Sequence, residues 1–423
     1  MSLRKAGETP ALPDHTSTAR PGHVRRVAAL SMALAFLAGC GGSSSSTVPP
    51  PSGPTVNNTQ AIQVKQGPAN NYANGIFTDV TICVPGSSSC QDIPNVLVDT
   101  GSFGLRLLDS LVTVALPQSP GDSSGNVLRE CQSFADGSYV WGPVATADIQ
   151  MAGEKASTVP IQLISASDTP AAPSSCGRGG GANDNTVATL GANGILGIGP
   201  FQQDCGSPCA GSSPPALYYV CPSSGCSVAS SVPLLSQLQN PVWLFPQDNN
   251  GLLITLPSVP AGGAPTVSGS LIFGIGTQSN NGLGSAGLYT TDSSGSIATT
   301  FKGTNYSGTF DTGSNALYVL DAATLGSPIV DCPAPNASFY CTASTQNYSA
   351  TNTGVNGTSA QISFNIADAD TLISSNNAAF NDLAGANPGN FDWGLPFFFG
   401  RPVFVGIEGQ NSPTGVMGPY WAF

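Results

Sequence analysis

The sequence predicts an all-β chain, mainly antiparallel with few short helices, built as two lobes related by a pseudo-two-fold axis. Three observations carry that expectation. First, 51 Gly and 35 Pro among 423 residues cut the chain into short segments, which suits strands and turns better than helical bundles. Second, 40% hydrophobic and 8% aromatic residues supply a core, so the low charged fraction of 9% does not signal disorder. Third, a unit containing Asp-Thr-Gly-Ser occurs twice, at Asp99 and at Asp311. The expected order is an export signal over 1–39, a tether over 40–60, a first lobe over 61–245 and a second over 246–423.

The export signal is read from its three parts. Arg25 and Arg26 precede an apolar run over 27–38, which closes on Leu37-Ala38-Gly39-Cys40. A basic start, a short apolar stretch and a small-residue end make a secretory leader, and the run is too short for a confident membrane span. The Leu-Ala-Gly-Cys ending resembles the bacterial lipobox. That resemblance implies lipidation of Cys40, an anchor in the cell envelope, and a periplasmic or surface-facing position. The Gly/Ser/Pro-rich stretch that follows suits a spacer between lipid and domain.

Export of the rest sharpens the chemistry. His15 and His23 both lie in the leader, so the remainder contains no histidine. Ser-His-Asp and Cys-His catalysis and His-ligated zinc are thereby excluded. Seven basic and 22 acidic residues remain, without a basic cluster, which argues against nucleic acid as a partner. Of 11 Cys, ten remain once Cys40 is set aside. In an oxidising compartment an even number reads as disulfides. Cys83/Cys90, Cys221/Cys226 and Cys332/Cys341 are close pairs between turn-forming residues, and Cys131/Cys176 and Cys205/Cys209 would complete five. Spacing also allows Cys205 and Cys209 to pair with Cys221 and Cys226, or the four to hold a metal.

The repeat carries the candidate site. Residues 96–110 and 308–322 share Asp99/Asp311, Thr100/Thr312, Gly101/Gly313, Ser102/Ser314, Leu105/Leu317, Leu108/Leu320 and Asp109/Asp321. Apolar residues running into Asp-Thr-Gly read as a strand that ends in a tight loop. Asp109 and Asp321 each precede a plausible helix start and are expected as N-caps. Each half also holds an apolar run that closes on Gly: 194–199 around Gly197, and 397–400 ending at Gly400. The similar spacing predicts that each run returns beside its own Asp loop.

Taken in order, these motifs resemble the pepsin-like aspartic peptidases, over roughly residues 70–423. The form with an exported, lipidated start is also similar to an uncharacterised bacterial family catalogued as a domain of unknown function. The first resemblance implies Asp99 and Asp311 as the catalytic pair, and Thr100 and Thr312 as a brace between the two loops. It implies a flap hairpin at Phe134, Asp136 and Gly137 against the substrate, a peptide or protein substrate, and a monomer. The segments 269–274 and 404–418 look like the opening strand of the second lobe and the terminal hairpin.

The chemistry follows from the residue types. Two carboxyls held close share a proton, because both cannot ionise cheaply; aspartic proteases are the standard illustration of this. One member takes a proton from water while the other donates to the scissile carbonyl oxygen. Gly101 and Gly313 let the backbone turn around each carboxylate, and Ser102 and Ser314 reach its outer oxygen. This chemistry needs no metal and no organic cofactor. The sequence departs from the family pattern at Phe134, where a Tyr is usual, at Arg106, and at Arg401. Arg106 is expected to meet a substrate carboxylate or a local acid such as Asp109. The reading is therefore an exported aspartic endopeptidase, with a catalytically silent pepsin-like binding or inhibitor protein as the alternative. A glycosidase also uses two carboxylates, but its chemistry gives no reason to duplicate Thr-Gly-Ser.

Overall fold

The structure, a computed structural model, describes residues 57–423 apart from 169 and 178–180. The export signal, Cys40 and most of the expected tether lie outside the described residues. The first half carries β1 (Thr59–Lys65), β2 (Gly75–Cys83), β3 (Cys90–Asp99), β4 (Phe103–Leu108), β5 (Leu128–Ser133), β6 (Tyr139–Met151), β7 (Glu154–Ile164), β8 (Gly194–Ile198), β9 (Tyr218–Val220) and β10 (Ser227–Val228). The second half opens with β11 (Gly251–Thr255), β12 (Val267–Phe273), β13 (Leu288–Thr290), β14 (Ile297–Phe301), β15 (Thr304–Asp311), β16 (Leu317–Leu320), β17 (Val330–Asp331) and β18 (Tyr340–Cys341). It closes with β19 (Gln346–Thr353), β20 (Ser359–Ile366), β21 (Ala384–Gly385), β22 (Asn387–Gly394), β23 (Val403–Gly406) and β24 (Tyr420–Ala422). Among the described residues four short α-helices join them: α1 (Val187–Leu190), α2 (Ser207–Ala210), α3 (Ala322–Leu325) and α4 (Ala369–Ser374).

Burial along the strands reports their position. In β20 the buried residues Ile362, Phe364 and Ile366 alternate with exposed ones, as on a sheet with one wet face. β4 and β8 are buried at every residue, so protein covers both of their faces. These two strands flank the first Asp loop. β8 inserts between β3 and β4, parallel to β3 and antiparallel to β4, with Asp99 opposite Gly197. The second half repeats the device: β22 lies parallel to β15 and antiparallel to β16, with Asp311 opposite Gly394. Fifteen strands, drawn from both halves, form one sheet through the β1–β12 pairing, and seven second-half strands form another. One apolar cluster runs between them, from Val96, Val98 and Leu196 to Phe310, Trp393 and Phe397.

Three expectations are corrected. The second returning strand ends at Gly394, not at Gly400; the Phe-rich run falls in a 3-10 turn, Leu395–Phe398. The true strand was disguised because Asp392 interrupts its apolar pattern. Asp321 does cap α3, accepting from Thr324 N at 2.8 Å. Asp109 caps nothing, since it is itself the first residue of a 3-10 turn, Asp109–Leu111, preceded by Leu108. β1 opens at Thr59, so the last two residues of the expected tether are strand, held by pairing with Ile272 and Leu271. The five disulfides are Cys83–Cys90, Cys131–Cys176, Cys205–Cys209, Cys221–Cys226 and Cys332–Cys341. The alternatives involving Cys205 to Cys226 are set aside by these bonds.

Candidate active site

The strand ends bring Asp99 and Asp311 together. Both side chains are buried, and the first loop packs directly against the Asp311 carboxyl. Each is cradled in the same way. Gly101 N donates to Asp99 Oδ1 at 2.8 Å and Ser102 Oγ to Oδ2 at 2.6 Å. Gly313 N donates to Asp311 Oδ1 at 2.7 Å, and Ser314 Oγ lies 2.9 Å from its Oδ2. Donors on both oxygens favour the charged form of each carboxyl, whereas burial and proximity oppose double ionisation. Asp311 is pushed well above the usual carboxylate range, first by burial, then by the charges of Asp99 and Asp392. Burial and these neighbouring charges thus favour the protonated form of Asp311. The loops approach so closely that a Cβ on Gly101 would lie 2.5 Å from the Asp311 carboxyl carbon.

The brace between the loops is reciprocal. Thr100 N donates to Thr312 Oγ1 at 3.1 Å, and Thr312 N to Thr100 Oγ1 at 3.0 Å. Each hydroxyl then donates across the axis: Thr100 Oγ1 to Phe310 O at 3.0 Å, and Thr312 Oγ1 to Val98 O at 2.8 Å. Every donor in this set is buried and paired, as a rigid polar network requires.

A hairpin joins β5 to β6 around Phe134, with Ser133 opposite Tyr139 and Phe134 N donating to Ser138 O at 2.8 Å. Gly137 turns at φ 88°, and Asp136, exposed at the tip, accepts from Ser138 N. The Phe134 ring is buried in the first-half core with Tyr72, Leu108, Ile164 and Ile195. Cys131–Cys176 ties β5 to the loop before α1, and that loop pairs with the hairpin through Tyr139 N to Ala182 O, 2.9 Å.

Arg106 does not reach Asp109. Its guanidinium is buried, bonded to Glu130, to Phe103 O at 2.9 Å and to Gln132 at 3.3 Å, with Asp204 at 3.4 Å. Tyr218 Oη donates to Asp204 Oδ1 at 2.8 Å. Burial alone would lower Arg106, but the Glu130 and Asp204 charges outweigh it and raise it. Burial and the Glu130 charge push Asp204 well above the usual range. Arg401, displaced from the site by the corrected register, donates to Phe397 O and sits 4.0 Å over the Phe397 ring.

Sequence reasoning missed three residues near the pair. Asp392, fully buried on β22, places Oδ2 2.6 Å from Ser314 Oγ. Tyr318 on β16 donates to Asn315 Oδ1 at 2.7 Å. Its phenol is pushed well above the ordinary range by burial, then by Tyr72, Asp392, Asp136 and Asp311. The signal for Tyr318 was available, since it stands in the repeat where the first half has Arg106. Tyr72 precedes β2 outside any motif.

The sequence pattern of the family described as "Protein of unknown function (DUF3443)" matches residues 54–423, and the chain belongs to that family. No curated protein matches. Among solved structures, the chain is similar to the crystal structure of an aspartic proteinase from Irpex lacteus, at 15% identity and a TM-score of 0.51. That match covers 86% of this chain and 96% of the other. The fold is thus that of the pepsin-like aspartic proteinases, mostly β with few short helices.

Proposed function

We propose that this chain is an aspartic endopeptidase, exported and held in the cell envelope by a lipid on Cys40. The observation that carries the hydrolase reading is the buried juxtaposition of Asp99 and Asp311, each cradled by an equivalent Gly N–H and Ser hydroxyl. Such a pair suits a water held between the two carboxyls. The ionised member removes a proton from the water as its oxygen bonds to the scissile carbonyl carbon. The protonated member gives its proton to the carbonyl oxygen, leaving a neutral tetrahedral diol. In the second step a diol proton returns to the pair, a proton moves to the amide nitrogen, and the C–N bond breaks. The Leu-Ala-Gly-Cys sequence supports the anchor, and the oxidised cysteines suit the exported compartment.

One observation favours a second reading, a silent pepsin-like binding or inhibitor protein: Phe134 is packed into the core, and Asp99 and Asp311 are only 0% and 3% exposed. The test is cleavage of a peptide library from acid to neutral pH, with and without a statine-type inhibitor. Asp99→Asn and Asp311→Asn each should lower turnover by at least about a thousandfold, and the double variant should be little worse. Activity surviving in both single variants refutes the aspartic mechanism, and an inert wild type that still binds a peptide favours the silent reading.

A further inference from the structure

The two halves of the site match closely until the strands that support the pair are compared. In register with the Asp residues, Ile195 stands two residues before Gly197, and Asp392 two residues before Gly394. An aliphatic side chain in one half is thus a carboxyl in the other. That carboxyl is fully buried, on the face of β22 opposite to the buried rings of Phe391 and Trp393. It is linked to the pair by Ser314 Oγ, which lies 2.6 Å from Asp392 Oδ2 and 2.9 Å from Asp311 Oδ2.

A hydroxyl carries a single proton. It can donate to one of these oxygens, so the other contact is a hydrogen bond only if that carboxyl itself supplies a proton. Two arrangements satisfy the count. In one, Asp392 is neutral and donates to Ser314, which donates to Asp311. In the other, Asp392 is ionised and takes the Ser314 proton, and Asp311 must hold its own proton on the outer oxygen. The second reverses the Ser314–Asp311 bond that Ser102 and Asp99 make in the other half, and it leaves an anion on a fully buried side chain. The first keeps Ser314 donating to Asp311 as Ser102 donates to Asp99 in the other half, and leaves no charge on the fully buried Asp392.

Resting on the peptidase reading, we propose that Asp392 is a positioning residue: a neutral third carboxyl that donates to Ser314 and commits the Ser314 hydroxyl to Asp311. It breaks the equivalence of the two half-sites, which their sequence repeat otherwise makes the same. The groups around it are Asp311, with Asp99 beyond, and Tyr318, its register partner on β16; Tyr72 and Asp136 in turn face Tyr318. Ionisation of Asp392 on rising pH would set a second negative charge beside the pair and withdraw the Ser314 donor, so this proton belongs to the basic limb of any activity profile.

The test compares wild type, D392N, D392L, S314A and D392L/S314A in the exported, oxidised protein. Folding is checked by disulfide content and near-ultraviolet circular dichroism. D392L and S314A are each expected to lower kcat about tenfold with KM within about twofold. Each should move the acid limb up by about one pH unit, because the ionised form of the pair loses a donor. The double variant should match either single one, since both break the same chain of hydrogen bonds. D392N, whose carboxamide still donates to Ser314, should recover most of what D392L loses. Infrared difference spectra should contain a protonated-carboxyl band at working pH that D392N removes; this readout needs no turnover. If wild type cleaves nothing, the peptidase reading falls and the infrared band alone decides the protonation of Asp392. D392N as impaired as D392L, additive losses in the double variant, or absence of the band overturns the proposal.

Discussion

Removing one hydroxyl of the brace tests whether it, and not general packing, sets the geometry of the pair. Thr100→Val keeps the shape and deletes two hydrogen bonds, Thr100 Oγ1 to Phe310 O and Thr312 N to Thr100 Oγ1, both 3.0 Å long and buried. A buried hydrogen bond contributes a net ~1 kcal/mol, and a buried N–H left without its partner costs a further ~1–3 kcal/mol. The loss expected is therefore about 3–5 kcal/mol. Thr312→Val deletes the reciprocal two bonds and should cost a similar amount. Catalysis should suffer more than stability suggests. A displacement of about 1 Å between reacting groups costs about a hundredfold in rate, and here the two carboxyls ride on the loops that the brace joins. Thr100→Ser retains the hydroxyl and should recover most of both losses. Denaturant-induced unfolding measures the first quantity and kcat the second. If Thr100→Val loses less than about 0.5 kcal/mol, or if Thr100→Ser is as impaired as Thr100→Val, the hydroxyl is not what holds the pair.

Two other outcomes follow from buried charge. Asp311 is raised above its unfolded value by burial and by Asp99, so between the ordinary carboxylate range and its folded value the native state binds more protons than the unfolded one. Its contribution is favourable in acid and is lost as pH rises; Asp311→Asn should therefore raise Tm relative to wild type at about pH 7 more than at about pH 4, and an equal or reversed difference contradicts the assigned shift. Arg106→Met leaves Glu130 and Asp204 facing one another without their cation and should cost about 3–5 kcal/mol in unfolding free energy, whereas replacing all three by apolar residues should recover much of it; a loss under about 1 kcal/mol in the single variant would mean that the acids are already neutral.

What the sequence made legible is what local backbone geometry demands. A strand that ends in Asp-Thr-Gly-Ser has to turn tightly around a carboxylate, so residues 99–102 and 311–314 are set by their own loop and could be read without knowing their neighbours. The same holds for Asp321, whose successors Ala322, Ala323 and Thr324 continue into α3. Asp109 is followed by Ser110-Leu111-Val112-Thr113-Val114, and this β-branched run ends the turn before a cap is needed. What stayed hidden was long-range pairing of charge. Arg106 finds Glu130 and Asp204 instead of the adjacent Asp109, and Asp392 meets Ser314 across 78 residues. Searching for an apolar run before Gly passed over Asp-Trp-Gly because the acid broke the run. The repeat explains the pattern. Its halves agree at 99–102 and 311–314, where the backbone dictates the residue, and differ at 106 against 318 and at 195 against 392, where the partner comes from elsewhere in the chain. A duplicated loop can hold two carboxyls symmetrically; only residues outside the loop can make one of them chemically different from the other.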